Sequence, residues 1–218
     1  MIRVVSYNVR SLRDDLDLVA ATLRDFEPDV VCVQEAPRFL RWRSRCAELA
    51  RRSGLFVVAG GRTAGDSLLL ASLRVKVHAA RADLLSSAPR LHRRGLAHAR
   101  LSVAGHELVV ASAHLGLDPQ QRLRHAQEVV TLLSAYSLPV VLGADVNESP
   151  GDPAWEVLAS HWPAAPTDGL TFPSRAPRRR IDAVFTDLPV SSAEVGCRAD
   201  AALASDHLPV AVDLGVPS

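Results

Sequence analysis

The stretches IRVVSYNV at residues 2–9 and VVCVQE at 30–35 decide the architecture. Both are β-branched apolar runs that stop abruptly at polar residues, and 14–26 between them carries apolar residues at helical spacing, so the chain opens strand, helix, strand. Outward from this unit, 39–52 reads as an arginine-rich helix and 54–59, 67–73, 75–83, 96–103 and 106–114 as strands, with Ala104-Gly105 suited to a hairpin turn. A helix over 120–136 can begin at Pro119, VVLGAD runs as a strand to Asp145, and a short helix fits 153–160. The proline- and arginine-rich segment 162–180 reads as an ordered loop, followed by strands at 181–185 and 208–214. Hairpins and strand-helix-strand units together predict an α/β fold, two packed mixed β-sheets with helices on their outer faces. No linker or repeat interrupts the pattern, so residues 1–218 are expected to form a single domain.

Composition supports a packed core: 48% of the 218 residues are hydrophobic and 22% charged, which excludes a disordered tail or a fibrous repeat. The net charge of +1 argues for no polyanion by itself, although Lys76 is the only lysine among 25 basic residues. Cys32, Cys46 and Cys197 form no C-x-x-C pair and read as buried, reduced thiols. No apolar run reaches the roughly 18 residues of a membrane span, and MIRVVSYNVR lacks the pattern of a signal peptide. The expectation is a cytoplasmic monomer without stable membrane association.

Several apolar runs end in a polar tip, and such tips converge where sheets pack face to face. The set is Asn8, Glu35, His114, Asp145, Asn147, Asp182, Asp206 and His207. Taken singly, each has a plainer reading: Asn8 as a turn former, Glu35 as a solvated strand end, Asp145 and Asn147 as an Asx turn, Asp182 as a surface residue, Asp206-His207 as a cap. Together their carboxylate and amide oxygens suit a hard cation, Mg2+ or Mn2+, rather than zinc.

SYNV around Asn8, VQE ending at Glu35, SAHL around His114, GADVN over 143–147, RID ending at Asp182 and SDHLPV from Ser205 resemble the successive motifs of the endonuclease/exonuclease/phosphatase superfamily. They occur in that family's order and span 6–210, nearly the whole chain. The resemblance implies a four-layered α/β sandwich and a deoxyribonuclease I-like, metal-dependent phosphoesterase. It implies Glu35 as the central metal ligand with Asn8 and Asp206 beside it, and His207 with Asp182 as a histidine-carboxylate dyad that either accepts a proton from water or clamps a phosphate oxygen. It implies Asp145 aligning the attacking water and Asn147 donating to the phosphate, both near a possible second metal. His114 is implied as an imidazolium that neutralises the phosphorane or protonates the leaving oxygen. Asp66, in GDSLLLAS, sits where it could orient His114.

Arginines cluster at 38–45, 90–94 and 175–180, and Arg178, Arg179 and Arg180 immediately precede Asp182, where a guanidinium could contact phosphate. Trp42 offers either a stacking face or, more plainly, core packing. Position 180 is arginine rather than aromatic, so the pocket that abasic-site endonucleases use for a flipped sugar is not evident. Short spacings from Asn147 to Asp182 to Asp206 mark a minimal version of the fold. The expected substrate is a phosphodiester of DNA or RNA, ahead of a small phosphorylated metabolite or lipid headgroup. A silent phosphate-binding module is disfavoured because every motif is complete.

Overall fold

Strand β1 (Ile2–Asn8) is buried on both faces, as its near-continuous apolar run requires of a central strand. The computed structural model, which describes residues 1–87, 89, 91–196 and 201–215, pairs it in parallel with β2 (Val30–Gln34) and antiparallel with β11 (Val210–Leu214). With β3 (Phe56–Gly60), β4 (Leu68–Ala71) and β10 (Val190–Val195) these build a six-stranded sheet ordered β10-β11-β1-β2-β4-β3. The second sheet has five strands in sequence order: β5 (Val75–Leu84), β6 (Gly95–Val103), β7 (His106–His114), β8 (Val140–Asp145) and β9 (Asp182–Thr186). Parallel β7–β8 amid antiparallel pairs makes this sheet mixed too.

The inner faces share one core, in which Val4, Cys32 and Leu69 meet Leu101, Val110 and Val184. Outside the first sheet, α1 (Leu16–Asp25) and α2 (Trp42–Arg52) cover Val5, Tyr7 and Leu70; outside the second, α3 (Pro119–Leu133) and α4 (Pro153–Ala159) cover Val109, Leu142 and Phe185. These are the four expected layers. Aspartate side chains cap two of the helices: Asp15 accepts from the Asp17 and Leu18 amides, and Asp118, ahead of Pro119, accepts from Gln121.

A polar seam joins the sheets beneath one edge. Gln34 Nε2 lies 3.2 Å from Ser6 Oγ, 3.3 Å from Ser112 Oγ and 3.2 Å from the Gly143 carbonyl, and Ser112 Oγ donates to Val33 O at 2.8 Å. Gly143 permits this approach, since a Cβ there would lie 2.4 Å from Cys32 Cβ.

Some expectations shift. α2 starts at Trp42 rather than residue 39, because Arg41 takes a left-handed conformation (φ 59°) that leaves Phe39 and Leu40 on an exposed turn. α3 ends at Leu133, short of Tyr136. β10 and the four-residue helix α5 (Ala201–Ala204) were not expected, because β10 is a mostly exposed edge strand without an apolar run. Cys32 and Cys46 are free and buried as expected, whereas Cys197 and Arg90 lie outside the described residues.

Candidate active site

Strand register assembles the centre. Parallel β7 and β8 place His114 opposite Asp145, and antiparallel β8 and β9 place Asp145 opposite Asp182. On the facing sheet, parallel β1 and β2 end together and put Asn8 opposite Gln34, one residue before Glu35. The tips meet across the sheets: Asn8 Nδ2 donates to Asp145 Oδ2 at 2.8 Å. That same oxygen lies 3.4 Å from His114 Nε2 and 3.9 Å from His207 Nε2. Asn8, His114, Asp145, Asp182 and His207 are all buried, with at most 5% exposure.

His207 is anchored through Nδ1, 2.9 Å from Asp182 Oδ2 and 3.1 Å from Oδ1, with the Phe172 ring 4.8 Å away. Burial works against the imidazolium, but the carboxylates of Asp182 and Asp145 more than offset it and push the pKa up to about 10. Burial raises the Asp182 pKa, and the charge of Asp145 adds to it, beyond what His207 takes back. Burial also opposes ionisation of Asp145, yet His114, His207, the Asn8 amide and the Asn147 backbone N–H hold its pKa below the ordinary carboxylate value.

His114 is oriented from behind by two groups. Its Nδ1 is 3.3 Å from Asp66 Oδ1, which places Asp66 where the sequence expected an orienter. Sequence reasoning did not single out Arg94. This arginine is 5% exposed, and its Nη1 lies 2.6 Å from Asp66 Oδ2 and 2.7 Å from His114 Nδ1. The two neighbours meet the same ring nitrogen with opposite chemistry, since the guanidinium can only donate to Nδ1 and the carboxylate can only accept from it, while Nε2 faces Asp145. Arg94 lay hidden in the run 90–94, where one buried arginine looks like its solvated neighbours.

The remaining candidates divide. Glu35 and Asn147 both adopt positive φ (50° and 58°), an uncommon conformation that clusters at functional sites. The Glu35 carboxylate makes no hydrogen bond or ion pair among the described residues, its neighbour in charge being Arg10. Asp206 is more exposed and pairs with Arg10 Nε at 3.3 Å, on the wall of a cavity of about 310 Å3. Asn147 Nδ2 donates to Leu115 O at 3.1 Å, and Arg179 Nη2 reaches Asn147 O at 3.2 Å. Arg178 is exposed. Arg180 is drawn away from the site: its terminal nitrogens donate to Thr167 O and Ala165 O, and its guanidinium lies 5.3 Å from the Trp155 ring centre. Trp42 packs against Gly61 and the outer core, the plainer of its two readings. Among the described residues, the histidines and carboxylates that offer ligand atoms within 4.8 Å of one another are Asp145, Asp182 and His207.

The sequence profile described as the Endonuclease/Exonuclease/phosphatase family matches residues 5–207. No curated protein matches. Solved structures share the fold: a mannosyl-6-phosphatase of Bacteroides thetaiotaomicron VPI-5482 is 16% identical, with a TM-score of 0.82, over 99% of this chain and 100% of its own. An endonuclease/exonuclease/phosphatase from Bacteroides vulgatus is 18% identical, with a TM-score of 0.82 and 99% of each chain covered. TDP2 of D. rerio, solved with single strand DNA product, is 17% identical, with a TM-score of 0.75 and 99% of each chain covered. A strand-tip centre of buried carboxylates and imidazoles, on a four-layered sandwich whose sequence matches over nearly its whole length, places this chain in the endonuclease/exonuclease/phosphatase family of phosphoester hydrolases.

Proposed function

We propose that the protein is a divalent-metal-dependent phosphodiesterase that cleaves DNA or RNA by attack of an aligned water. The observation that carries this reading is the convergence on Asp145 Oδ2 of Asn8 Nδ2 at 2.8 Å, His114 Nε2 at 3.4 Å and His207 Nε2 at 3.9 Å. One carboxylate oxygen is thus ringed by groups able to hold a phosphate in place.

The donors fit a hard cation, since Glu35 presents a carboxylate without a hydrogen bond among the described residues, and Arg10 has Glu35 and Asp206 as neighbours in charge and donates its backbone N–H to Asn8 Oδ1. Glu35 would hold Mg2+ or Mn2+ with Asn8 and Asp206, and Asp145 with Asn147 would meet a second ion. A bound divalent ion supplies polarisation of the phosphoryl oxygen and stabilisation of the leaving alkoxide.

The chain's own groups take distinct parts. His207, cationic to about pH 10, clamps a phosphate oxygen rather than removing a proton from water, and Asp182 fixes its orientation through Nδ1. Asp145, held ionised, aligns the attacking water. His114 presents Nε2 to the phosphate position beside Asp145, while Arg178 and Arg179 stand at the rim.

A small phosphorylated metabolite or lipid headgroup is the second reading, favoured by the short connections around the site and by the mannosyl-6-phosphatase that shares the fold. The test is Mg2+- and Mn2+-dependent hydrolysis of plasmid and oligonucleotide DNA, RNA, bis-p-nitrophenyl phosphate, p-nitrophenyl phosphate and inositol phosphates. Cleavage of nucleic acid supports the nuclease reading, and activity confined to small esters overturns it.

A further inference from the structure

Two arginine-lined depressions flank the centre. In the first sheet, β11, β1, β2 and β4 lie side by side, so the loop before β11, the tips bearing Asn8 and Glu35, and the loop before β4 follow one another along one edge. At the β11 end is the cavity of about 310 Å3, lined by Arg10, Asp14, Ser174, Arg175 and Asp206, where Arg10 pairs with both aspartates. At the β4 end is a cleft of about 590 Å3, lined by Arg38, Arg62 and Arg93 together with Phe39, Leu40 and Leu91. Contacts tie this cleft to the centre: Arg38 Nη1 is 3.6 Å from Asp66 Oδ2, and Asp66 Oδ1 is 3.3 Å from His114 Nδ1.

The cleft's composition is unusual for a surface. Phe39 is 69% and Leu40 92% exposed on the turn that Arg41's left-handed backbone creates, and Leu91 faces them at 39%. Among the described residues the lining carries three arginines and no carboxylate. Cations interleaved with an aromatic ring and leucines match a ligand that alternates phosphates with flat apolar faces. A duplex presents its phosphates outward and hides its base faces, whereas an unpaired strand offers both. A lipid headgroup carries its phosphate at one point and leaves the depression on the far side of His207 without a role. Arg175 on one side of the reacting position and Arg62 and Arg93 on the other fit a polymer that has a phosphate before and after the one cut.

We propose that the active centre is the middle of a through-groove for one unpaired nucleic-acid strand, whose bases lie against Phe39, Leu40 and Leu91 and whose flanking phosphate is held by Arg62 and Arg93. The proposal rests on the nuclease reading and narrows it to single strands. Phe39 and Leu40 are exposed and both arginines lie on the surface, so these residues can be changed without touching the core.

The test compares kcat/KM for a single-stranded oligonucleotide, its duplex and bis-p-nitrophenyl phosphate in wild type, Phe39→Ala, Phe39→Trp and the double variant Arg62→Gln/Arg93→Gln. Wild type is expected to favour the single strand. Phe39→Ala should lose about tenfold on it, as removal of one stacking platform implies, and Phe39→Trp should restore it. The double variant should flatten the salt dependence. All variants should retain wild-type rates on bis-p-nitrophenyl phosphate. Equal cleavage of single strand and duplex, or variants that cut the single strand like wild type, would overturn the groove and leave the nuclease reading intact. If phosphatidylserine/phosphatidylcholine vesicles bind wild type but not Phe39→Ala, and oligonucleotide cleavage is unchanged, the cleft belongs to a lipid surface and the proposal is wrong. Hydrolysis of bis-p-nitrophenyl phosphate without cleavage of any nucleic acid would remove the nuclease reading and this proposal together.

Discussion

Asn8 and Asp145 end strands in different sheets, and a 2.8 Å hydrogen bond from Nδ2 to Oδ2 joins them. That bond closes the upper edge of the sandwich at the point where chemistry is expected, so it serves both the fold and the site. Replacing Asn8 with Ala removes the shorter of the two hydrogen bonds that the Asp145 carboxylate accepts, the other coming from the Asn147 backbone N–H. The expected result is a loss of about 1–3 kcal/mol in urea unfolding, with kcat lower by about a hundredfold on bis-p-nitrophenyl phosphate. A loss of stability with unchanged kcat in the folded fraction would assign the bond a structural role alone.

Asp66 and His114 lie side by side, with Arg94 against both. Asp66→Asn is therefore expected to lower turnover in step with His114→Ala, and the double variant should be no worse than His114→Ala by itself. Additive losses in the double-mutant cycle would mean that Asp66 acts elsewhere.

The imidazole of His207 links stability to pH. Its folded pKa, about 10, lies above the ordinary 6.5, so its stabilising contribution is complete below 6.5 and is lost as pH rises through about 10. Asp145 behaves in the opposite sense: its lowered pKa gives a contribution present above the ordinary 3.8 and lost as pH falls further. In chelator-treated protein, the unfolding free energy should decline between pH 6.5 and 10, and His207→Gln should flatten that decline. Equal slopes in the two proteins would contradict the assignment.

Gly143 sets the spacing of the sheets. A Cβ there would sit 2.4 Å from Cys32 Cβ and 3.0 Å from Ser6 Oγ, both on the facing sheet. Gly143→Ala should cost about 1–3 kcal/mol, read by thermal unfolding. It should also lower activity, because Asp145 stands two residues further along the same strand. A neutral effect on the unfolding temperature would show that the seam yields more easily than its contacts imply.

Much of this was legible because apolar strands that end in polar residues expose their own tips: Asn8, Glu35, His114 and Asp145 each close such a run. Asp66 was legible by its place before a strand. Arg94 was not, since burial cannot be read inside a run of arginines, and Arg180 proved to brace a loop because its proximity to Asp182 in sequence says nothing about where a long side chain turns. The exposed turn at Phe39 and Leu40 escaped notice for a conformational reason: a left-handed arginine at 41 leaves no mark in the apolar pattern. Edge strand β10 buries Val190, Ala193 and Val195 only in part, and an irregularity between Val190 and Ser192 breaks the alternation that reveals a strand.

Hydrolysis of phosphodiesters at this strand-tip site is expected to need a metal held by Glu35. The most direct measurement is the Mg2+ dependence of bis-p-nitrophenyl phosphate hydrolysis in wild type and Glu35→Gln, with folding of the variant checked by its unfolding transition. The account predicts metal-dependent turnover in wild type and, in a folded Glu35→Gln, a drop of at least about a hundredfold with a weakened Mg2+ response. Wild-type turnover and an unchanged Mg2+ response in Glu35→Gln would contradict it.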